Sequence, residues 1–142
     1  MENLNVDTSG AGASGNGIVW LLRLEGLAVA VLSALLYART GASWGVFAAL
    51  WLVPDLGMLP YFVNPRLGAY GYNALHTYVV PGALVVAALV LPSARLLPYA
   101  LIWFNHIGFD RFVGYGFKYA NAFRINHLNV LRQTAVGADR QS

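Results

Sequence analysis

The residues best suited to chemistry lie in the stretch His106-Ile-Gly-Phe-Asp110, which follows the apolar run from Leu96 to Phe104. His106 and Asp110 are four residues apart, so on a helix they lie on one face, one turn from each other. Imidazole and carboxyl groups are costly to bury in apolar surroundings unless they are hydrogen-bonded or serve a function. This pair is therefore the first candidate site.

Three earlier apolar segments each carry one more carboxyl or imidazole side chain, and these are Glu25, Asp55 and His76. Ionisable groups within apolar segments of membrane-spanning length are rare and usually functional. We therefore interpret Glu25, Asp55, His76, His106 and Asp110 as the candidate catalytic set. The alternative interpretation is a hydrogen-bonded network that only fixes the register of the helices.

Acid–base catalysis is the first chemistry that this set would support. A carboxyl group in apolar surroundings stays protonated to higher pH than in water, so it can act as a general acid near neutral pH. A neighbouring histidine or second carboxylate then acts as the base. On this interpretation Glu25, Asp55 and Asp110 are the acids and bases, His76 and His106 are their partners, and no cofactor is needed.

Metal binding is the second chemistry that the same residue types would support. Neutral imidazole and carboxylate groups are ligands of zinc, iron and manganese. The alternative to a cofactor-free site is therefore a divalent metal at Asp55, His76, His106 and Asp110. The Glu-x-x-His pair of di-iron helix bundles is absent from the sequence, so spacing alone does not choose between the two chemistries.

Two groups of residues would bind substrate beside the catalytic set. An asparagine and a tyrosine close to His76 in sequence would orient the reacting groups. Basic residues after Asp110 would hold a negatively charged head group, or would anchor the chain to anionic lipid. Gly114 and Gly116 predict a tight turn that aims the following lysine back toward the pocket. The predicted substrate-binding residues are Asn73, Tyr78, Arg111, Tyr115 and Lys118.

The composition places these residues in a membrane. The chain has 142 residues, of which 58% are hydrophobic and 11% are charged, whereas soluble domains carry about 25% charged residues. So few charges cannot cover a soluble domain of this size, which indicates an integral membrane protein. Cysteine is absent, which excludes disulfides and thiolate metal sites. The net charge of +3 is typical of a basic juxtamembrane tail, and we predict no nucleic-acid partner.

Four apolar segments of about 20 residues each divide the chain, and this is the length that a ~30 Å hydrocarbon core requires. The pattern predicts an all-α fold, an integral membrane bundle of four transmembrane helices. Pro54 and Pro60 predict a kink in the second helix, and Pro81 predicts a bend in the third. The predicted spans are residues 18–38, 43–63, 68–91 and 96–115.

The remaining parts of the chain are polar. Residues 1–17 are rich in Gly and Ser and are predicted to be a disordered N-terminal tail. Residues 18–119 form the predicted transmembrane domain, and residues 120–142 a cytoplasmic basic tail that is partly amphipathic. Within this tail we predict a solvated surface histidine, His127, and a short helix on the membrane surface whose apolar residues are Phe123, Ile125, Leu128 and Leu131.

The distribution of Lys and Arg predicts the orientation. With four spans, both termini and the middle loop share one side. That side carries Arg66, Arg111, Lys118, Arg124, Arg132 and Arg140, whereas the other carries Arg39 and Arg95. The positive-inside rule therefore predicts that both termini are cytoplasmic. At ~1.5 Å per helical residue, Glu25, Asp55, His76 and His106 would then lie about 10–14 Å below the cytoplasmic surface, so we expect them to converge.

Several motifs resemble those of a family of small bacterial integral-membrane proteins that is catalogued only as a domain of unknown function. The resemblance extends from about Ile18 to Leu128 and implies a four-helix membrane protein without implying a reaction. The matching stretches are Leu22-Arg-Leu-Glu-Gly26, Pro54-Asp-Leu-Gly-Met58, Tyr72-Asn-Ala-Leu-His-Thr-Tyr78 and His106-Ile-Gly-Phe-Asp-Arg-Phe-Val-Gly-Tyr-Gly-Phe-Lys-Tyr119.

These observations favour an enzyme embedded in the bacterial cytoplasmic membrane. Its expected partners are the lipid bilayer and an apolar, lipid-like small molecule, on which it would perform cyclisation, isomerisation or epoxide opening by acid–base chemistry. One alternative is a metal-dependent enzyme that uses the same residues. Another is a proton- or ion-coupled transporter, which would need to form a homo-oligomer because four spans are few. The last alternative is a structural subunit or a partner-binding protein.

The predicted orientation can be tested with reporter fusions. Fusions after Pro65 and after Ser142 should report a cytoplasmic location because Lys and Arg are concentrated on that side. Fusions after Thr40 and after Ser93 should report the opposite side. A periplasmic reporter after Ser142 would contradict both the orientation and the common depth of the ionisable residues.

Overall fold

The computed structural model describes residues 9–91, 94–119 and 122–126. Its α-helices are α1 (Ser9–Arg39), α2 (Trp44–Leu50), α3 (Pro65–Leu75), α4 (Val79–Val90) and α5 (Leu97–Val113). Two 3₁₀ helices, Val53–Phe62 and Ala94–Leu96, precede α3 and α5. Two short antiparallel strands, β1 (Lys118–Tyr119) and β2 (Ala122–Asn126), follow α5.

These elements form four helical passes, and the fold is all-α apart from the short strand pair. The segments Asn16–Arg39, Trp44–Phe62 and Pro65–Val90 are long and apolar enough to cross a membrane. The fourth pass, α5, has 17 residues and is extended at its start by the second 3₁₀ helix. The predicted bundle of four apolar helical passes is therefore confirmed, with boundaries close to the predicted ones.

The outer surface of the bundle is apolar. Phe62 is 90% exposed, Leu89 is 80% exposed and Val90 is 76% exposed. A soluble domain rarely presents large apolar side chains over so much of its surface, because each costs about 1.5–3 kcal/mol relative to burial. Lipid chains provide the medium that such a surface requires, so the chain is a membrane protein.

The second and third passes are interrupted rather than straight. The second pass changes from α2 to a 3₁₀ helix around Pro54, where the sequence predicts a kink. In the third pass the break lies at residues 76–78, just before Pro81, which sits in the first turn of α4. Proline lacks an N–H and clashes with the carbonyl four residues earlier, here that of Thr77, so the helix cannot run continuously through this point.

Both ends of the chain differ from their predicted structure. Helix α1 begins at Ser9, although residues 9–17 were predicted to be disordered. Adding residues to an existing helix avoids the cost of nucleation, so a Gly- and Ser-rich stretch can be helical there. Residues 122–126 form a strand instead of the predicted amphipathic helix, because the chain turns back to pair with β1. Residues 1–8 and 127–142, including His127, Leu128 and Leu131, lie outside the described residues.

Helices α1 and α5 approach closely at two glycines. A Cβ atom built on Gly26 would lie 2.7 Å from the carbonyl oxygen of Gly108, and one on Gly108 would lie 2.7 Å from that of Gly26. Ala30, one turn after Gly26, lies at the same crossing, with its amide 2.8 Å from a Cβ built on Gly108. Small residues one turn apart are typical of membrane helices whose backbones touch. This contact sets the position of α5, which carries His106 and Asp110.

A second pair of glycines joins the 3₁₀ helix Val53–Phe62 to α3. A Cβ atom on Gly57 would lie 2.7 Å from the carbonyl oxygen of Gly71, and the reverse distance is also 2.7 Å. No larger side chain fits at either position without a shift of the backbone. This contact therefore fixes the element that carries Asp55 against the helix that ends at His76.

Replacement of Gly108 by alanine should destabilise the bundle. The added methyl group has no space between α1 and α5, and overpacking of this kind costs about 1–3 kcal/mol. Thermal unfolding in detergent should show a lower midpoint for Gly108→Ala. The control is Gly82→Ala in α4, where a Cβ atom meets nothing within 4 Å and alanine has the better helix propensity. Equal midpoints for the two variants would contradict the close crossing.

Candidate functional site

Four of the five predicted catalytic residues converge on one point. The Nε2 atoms of His76 and His106 are 3.2 Å apart. Oδ1 of Asp55 lies 3.4 Å from the His76 Nε2 and 3.6 Å from that of His106. Oδ2 of Asp110 lies 3.4 Å and 3.8 Å from the same two nitrogens. One ligand atom from each residue lies within 4.8 Å of all the others.

The position of each of these four side chains follows either from a break in a helical pass or from its place on one face of a helix. Asp55 is in the first turn of the 3₁₀ helix, directly after Pro54. His76 is the residue at which α3 ends. His106 and Asp110 lie one turn apart on α5, as their spacing predicts. Two interrupted passes and one continuous helix thus bring four groups to one place.

The hydrogen bonds of His76 determine its tautomer. Its Nδ1 lies 3.0 Å from the carbonyl oxygen of Tyr72, and a carbonyl can only accept, so Nδ1 carries the proton. In the neutral ring Nε2 then presents a lone pair to His106 and the two carboxylates. This is the arrangement of a metal-ligating histidine, in which a backbone carbonyl orients the ring.

His106 is buried between aromatic and polar neighbours. It is 1% exposed, and the edge of its ring meets Trp51 at 4.8 Å between centroids. Its Nδ1 has no hydrogen-bond partner in the described part of the chain. Trp51 is itself fixed, because its Nε1 donates to Oδ1 of Asn105 at 2.9 Å, while Nδ2 of Asn105 donates to the Ala30 carbonyl at 2.7 Å. Asn105 therefore makes interhelical hydrogen bonds that hold the wall beside His106.

Tyr72 belongs to the site although the sequence analysis did not select it. Its ring stacks on His76 with 3.7 Å between centroids, and its hydroxyl donates to Oδ2 of Asp110 at 3.3 Å. It is 3% exposed. The signal in the sequence is its spacing, since Tyr72 precedes His76 by four residues and must share its helix face.

The cluster formed by Asp55, His76, His106 and Asp110 opens on one side into a pocket of about 310 Å³. Met58, Tyr115 and Lys118 line this mouth together with Asp55, Tyr72 and Asp110. The predicted turn is present: Gly114 ends α5 with φ of 102°, and the amides of residues 114 and 115 both donate to the Asp110 carbonyl. This turn brings Lys118 back to the pocket, as predicted.

The ammonium group of Lys118 lies near the two carboxylates of the cluster. Its Nζ is 4.9 Å from the centre of the Tyr72 ring. Partial burial lowers the pKa of Lys118 from its usual value, and the charges of Asp110 and Asp55 act in the opposite direction. Among the lining residues that the structure describes, Lys118 supplies the cationic side chain at the mouth.

The four converging groups fit a metal ion. A tetrahedral ion with bonds of about 2.1 Å holds its ligand atoms about 3.4 Å apart, and five of the observed separations are between 3.2 and 3.8 Å. The sixth, between the two aspartates, is within 4.8 Å, which leaves space for a further ligand. Two imidazoles and two carboxylates are a donor set for zinc, iron or manganese.

Glu25 is not part of the cluster, in contrast to the prediction. It is exposed and lines a separate groove with Tyr78 and Arg111. Gly26, the next residue, faces α5. Because successive helical residues are about 100° apart around the axis, Glu25 points away from that contact. Of the predicted substrate-binding residues, Tyr78 and Arg111 line this groove, whereas Tyr115 and Lys118 line the mouth.

Asn73, also predicted to bind substrate, instead binds the backbone of β1. Its Nδ2 donates to the Lys118 carbonyl at 2.9 Å, and its Oδ1 accepts from the Lys118 amide at 2.8 Å. Both polar atoms of the side chain are thus used to dock the strand against α3. Asn73 consequently positions Lys118 at the mouth.

Replacement of Asn73 by alanine should release β1 from α3. Two hydrogen bonds are lost, each with a net contribution of about 0.5–1.5 kcal/mol. Hydrogen exchange measured by mass spectrometry should become faster for the peptide that contains Lys118, and unchanged for peptides of α5. Tyr70→Ala, at an exposed position of the same helix, is the control. Unchanged protection at Lys118 would show that other contacts dock the strand.

Comparisons with known proteins identify the family. No curated protein and no solved structure matches the chain. One family profile matches residues 19–131, which includes all four converging residues and most of the chain. The chain therefore belongs to the family described as a domain of unknown function, DUF4260.

Proposed function

We propose that this protein is a metal-dependent membrane enzyme that acts on an apolar, lipid-like molecule. The ligands would be Asp55, His76, His106 and Asp110. The observation that carries the proposal is the distance between the Nε2 atoms of His76 and His106, 3.2 Å, with a carboxylate oxygen within 3.8 Å on either side. An ion at the centre gives all four donor atoms a partner at once.

Charge balance also supports a divalent cation. Asp55 and Asp110 bring two negative charges into a bundle with an apolar exterior. Buried charges are tolerated when they are paired or bind metal. A divalent ion neutralises both carboxylates, whereas one proton shared between two neutral imidazoles neutralises only one.

The open mouth favours a catalytic site over a purely structural one. The Asp55 side chain is 38% exposed, and the pocket beside it has room for water and part of a substrate. Structural sites enclose their metal, whereas catalytic sites keep a position for water or substrate. Here the carboxylate side of the cluster faces the open pocket.

Addition of water to a strained or activated C–O bond, such as that of an epoxide, is the reaction that we propose. A bound divalent ion would supply Lewis acidity and lower the pKa of water at the site. The water oxygen would form a bond to carbon, the C–O bond would break, and the proton that the water loses would go to the released oxygen. Lys118 at the mouth would stabilise the negative charge on that oxygen. Asp110, whose Oδ2 accepts from Tyr72, would hold its ligand oxygen toward the ion.

Acid–base catalysis without a metal is the second candidate, and one observation favours it. The Tyr72 hydroxyl, Asp110 and the two imidazoles form a continuous chain of hydrogen-bonding groups, which can transfer protons. Cyclisation or isomerisation would suit such a chain. The same four residues serve either chemistry, so metal content distinguishes them.

The location that we propose is the bacterial cytoplasmic membrane, with both termini cytoplasmic. The concentration of Lys and Arg on that side supports it. The mouth with Lys118 lies near the end of α5, which would then be close to the cytoplasmic surface. Ion transport is a third function, which would show as a flux in liposomes that disappears in Asp55→Asn.

Elemental analysis of the purified protein tests the proposal directly. We expect about one equivalent of zinc, iron or manganese per chain, and a loss of at least ~10–100-fold in affinity for that metal in Asp110→Asn, because a ligand is removed. The matched control is Glu25→Gln, which removes one carboxylate outside the cluster and should leave the metal content unchanged.

Two results would overturn the metal proposal. One is a folded native protein that neither contains nor takes up any of the three metals. The other is an Asp110→Asn variant that binds metal as the native protein does. If the native protein is metal-free and Asp110→Asn still loses activity by about 10²–10⁴-fold, acid–base catalysis is the correct interpretation.

A further inference from the structure

A second cavity lies between α1, the break before α4 and the end of α5. This lateral groove has a volume of about 880 Å³ and is open to the outside of the bundle. Residues of α1 form one wall, and residues 77–79, at the break before α4, form the other. Arg111 and Phe117 close the end near the strand pair. The lining is apolar except for Glu25, Arg111 and the hydroxyls of Thr77 and Tyr78.

The two charges in the groove do not pair with each other. Among the residues that the structure describes, no ion pair includes either Glu25 or Arg111. The Nη2 of Arg111 donates to the His76 carbonyl at 3.3 Å, and the guanidinium lies 4.3 Å from the centre of the Phe117 ring. Its Nη1 is buried and has no hydrogen-bond partner within the described ranges.

A single ligand can satisfy both charges. A guanidinium in largely apolar surroundings that has no ion-pair partner favours an anionic oxygen, and phosphate is a strong partner for it. A carboxylate in the same groove would repel a purely anionic ligand and attract a cation. A head group that carries one negative and one positive charge is therefore complementary to this lining.

We propose that the lateral groove binds a phospholipid with a phosphoethanolamine head group. The phosphate would accept from the guanidinium of Arg111, and the ammonium would donate to Glu25, since both residues line the groove. Leu22 and Val29, seven residues apart on α1, give an apolar wall about 10 Å long at ~1.5 Å per residue, against which an acyl chain would lie. The groove is open to the outside of the bundle, so the lipid would enter it from the membrane.

The proposed lipid site is distinct from the cluster of Asp and His side chains but adjacent to it. Arg111 follows Asp110, and Thr77 follows His76, so each of these groove residues is next in sequence to a residue of the cluster. The hydrogen bond from Arg111 to the His76 carbonyl connects them directly. Lipid binding by Glu25 and Arg111 needs no metal, so this inference does not depend on the proposed function.

Native mass spectrometry of the full chain in detergent, titrated with defined lipids, tests the inference. We expect phosphatidylethanolamine to bind about tenfold more tightly than phosphatidylglycerol, because only the former offers a charged donor to Glu25. In Glu25→Gln the ratio of the affinities for these two lipids should fall to about one. In Arg111→Gln both lipids should bind more weakly, and Arg111→Lys should restore part of the binding. The control Arg66→Gln, at an exposed arginine outside the groove, should change neither.

A second pair of variants tests the cavity itself. Ala28 lines the groove, so Ala28→Phe should fill it and reduce binding of both lipids. Ala38→Phe, at an exposed position of α1 outside the lining, should not. Equal affinities of the native protein for the two lipids, a preference for phosphatidylglycerol, or an unchanged ratio in folded Glu25→Gln would each overturn the inference. Removal of metal with a chelator should leave the lipid preference intact, which separates this test from that of the proposed function.

Discussion

The structure depends on the convergence of two carboxylates and two buried imidazoles at one point of an apolar bundle. Asp55 and Asp110 would repel each other strongly there without a compensating charge, because the low dielectric screens little. The donor atoms nevertheless lie within 4.8 Å of one another. A cation or a set of shared protons at the centre would remove this repulsion. Without one, the fold must hold these groups together against their own electrostatics.

The interruptions in the second and third passes help to hold these four groups together. Where α3 ends, several carbonyls lose their helical partners, and in a membrane each would be costly to leave unpaired. Side chains satisfy two of them: Trp103 donates to the carbonyl of Leu75 at 2.7 Å, and Arg111 donates to that of His76 at 3.3 Å. Both donors come from α5. The helix that supplies His106 and Asp110 thus also stabilises the break that positions His76.

The sequence predicted the passes and four members of the cluster because both follow from strong physical rules. Apolar length defines a membrane span, and an ionisable group within a span is usually functional. The prediction for Glu25 was wrong because it considered the depth of Glu25 in the membrane and not its direction around the helix axis. The neighbouring Gly26 faces α5, so Glu25 points elsewhere. Tyr72 was overlooked although its spacing from His76 places it on the same face. The pairing of β1 with β2 depends on tertiary contacts, such as those of Asn73, that no local pattern shows.

Helix α5 divides its polar residues between two faces. Asp110 points to the cluster, whereas Arg111, the next residue, points to the lateral groove and holds the His76 carbonyl. Because one guanidinium contacts both the backbone of a cluster residue and the groove, a ligand in the groove that pulls on Arg111 acts on His76 as well. The ring of His76 is fixed by its bond to the Tyr72 carbonyl, so any such effect would reach Nε2 through the backbone at the end of α3. The cluster and the lateral groove are therefore close together because both include residues of α5 beside an interrupted pass.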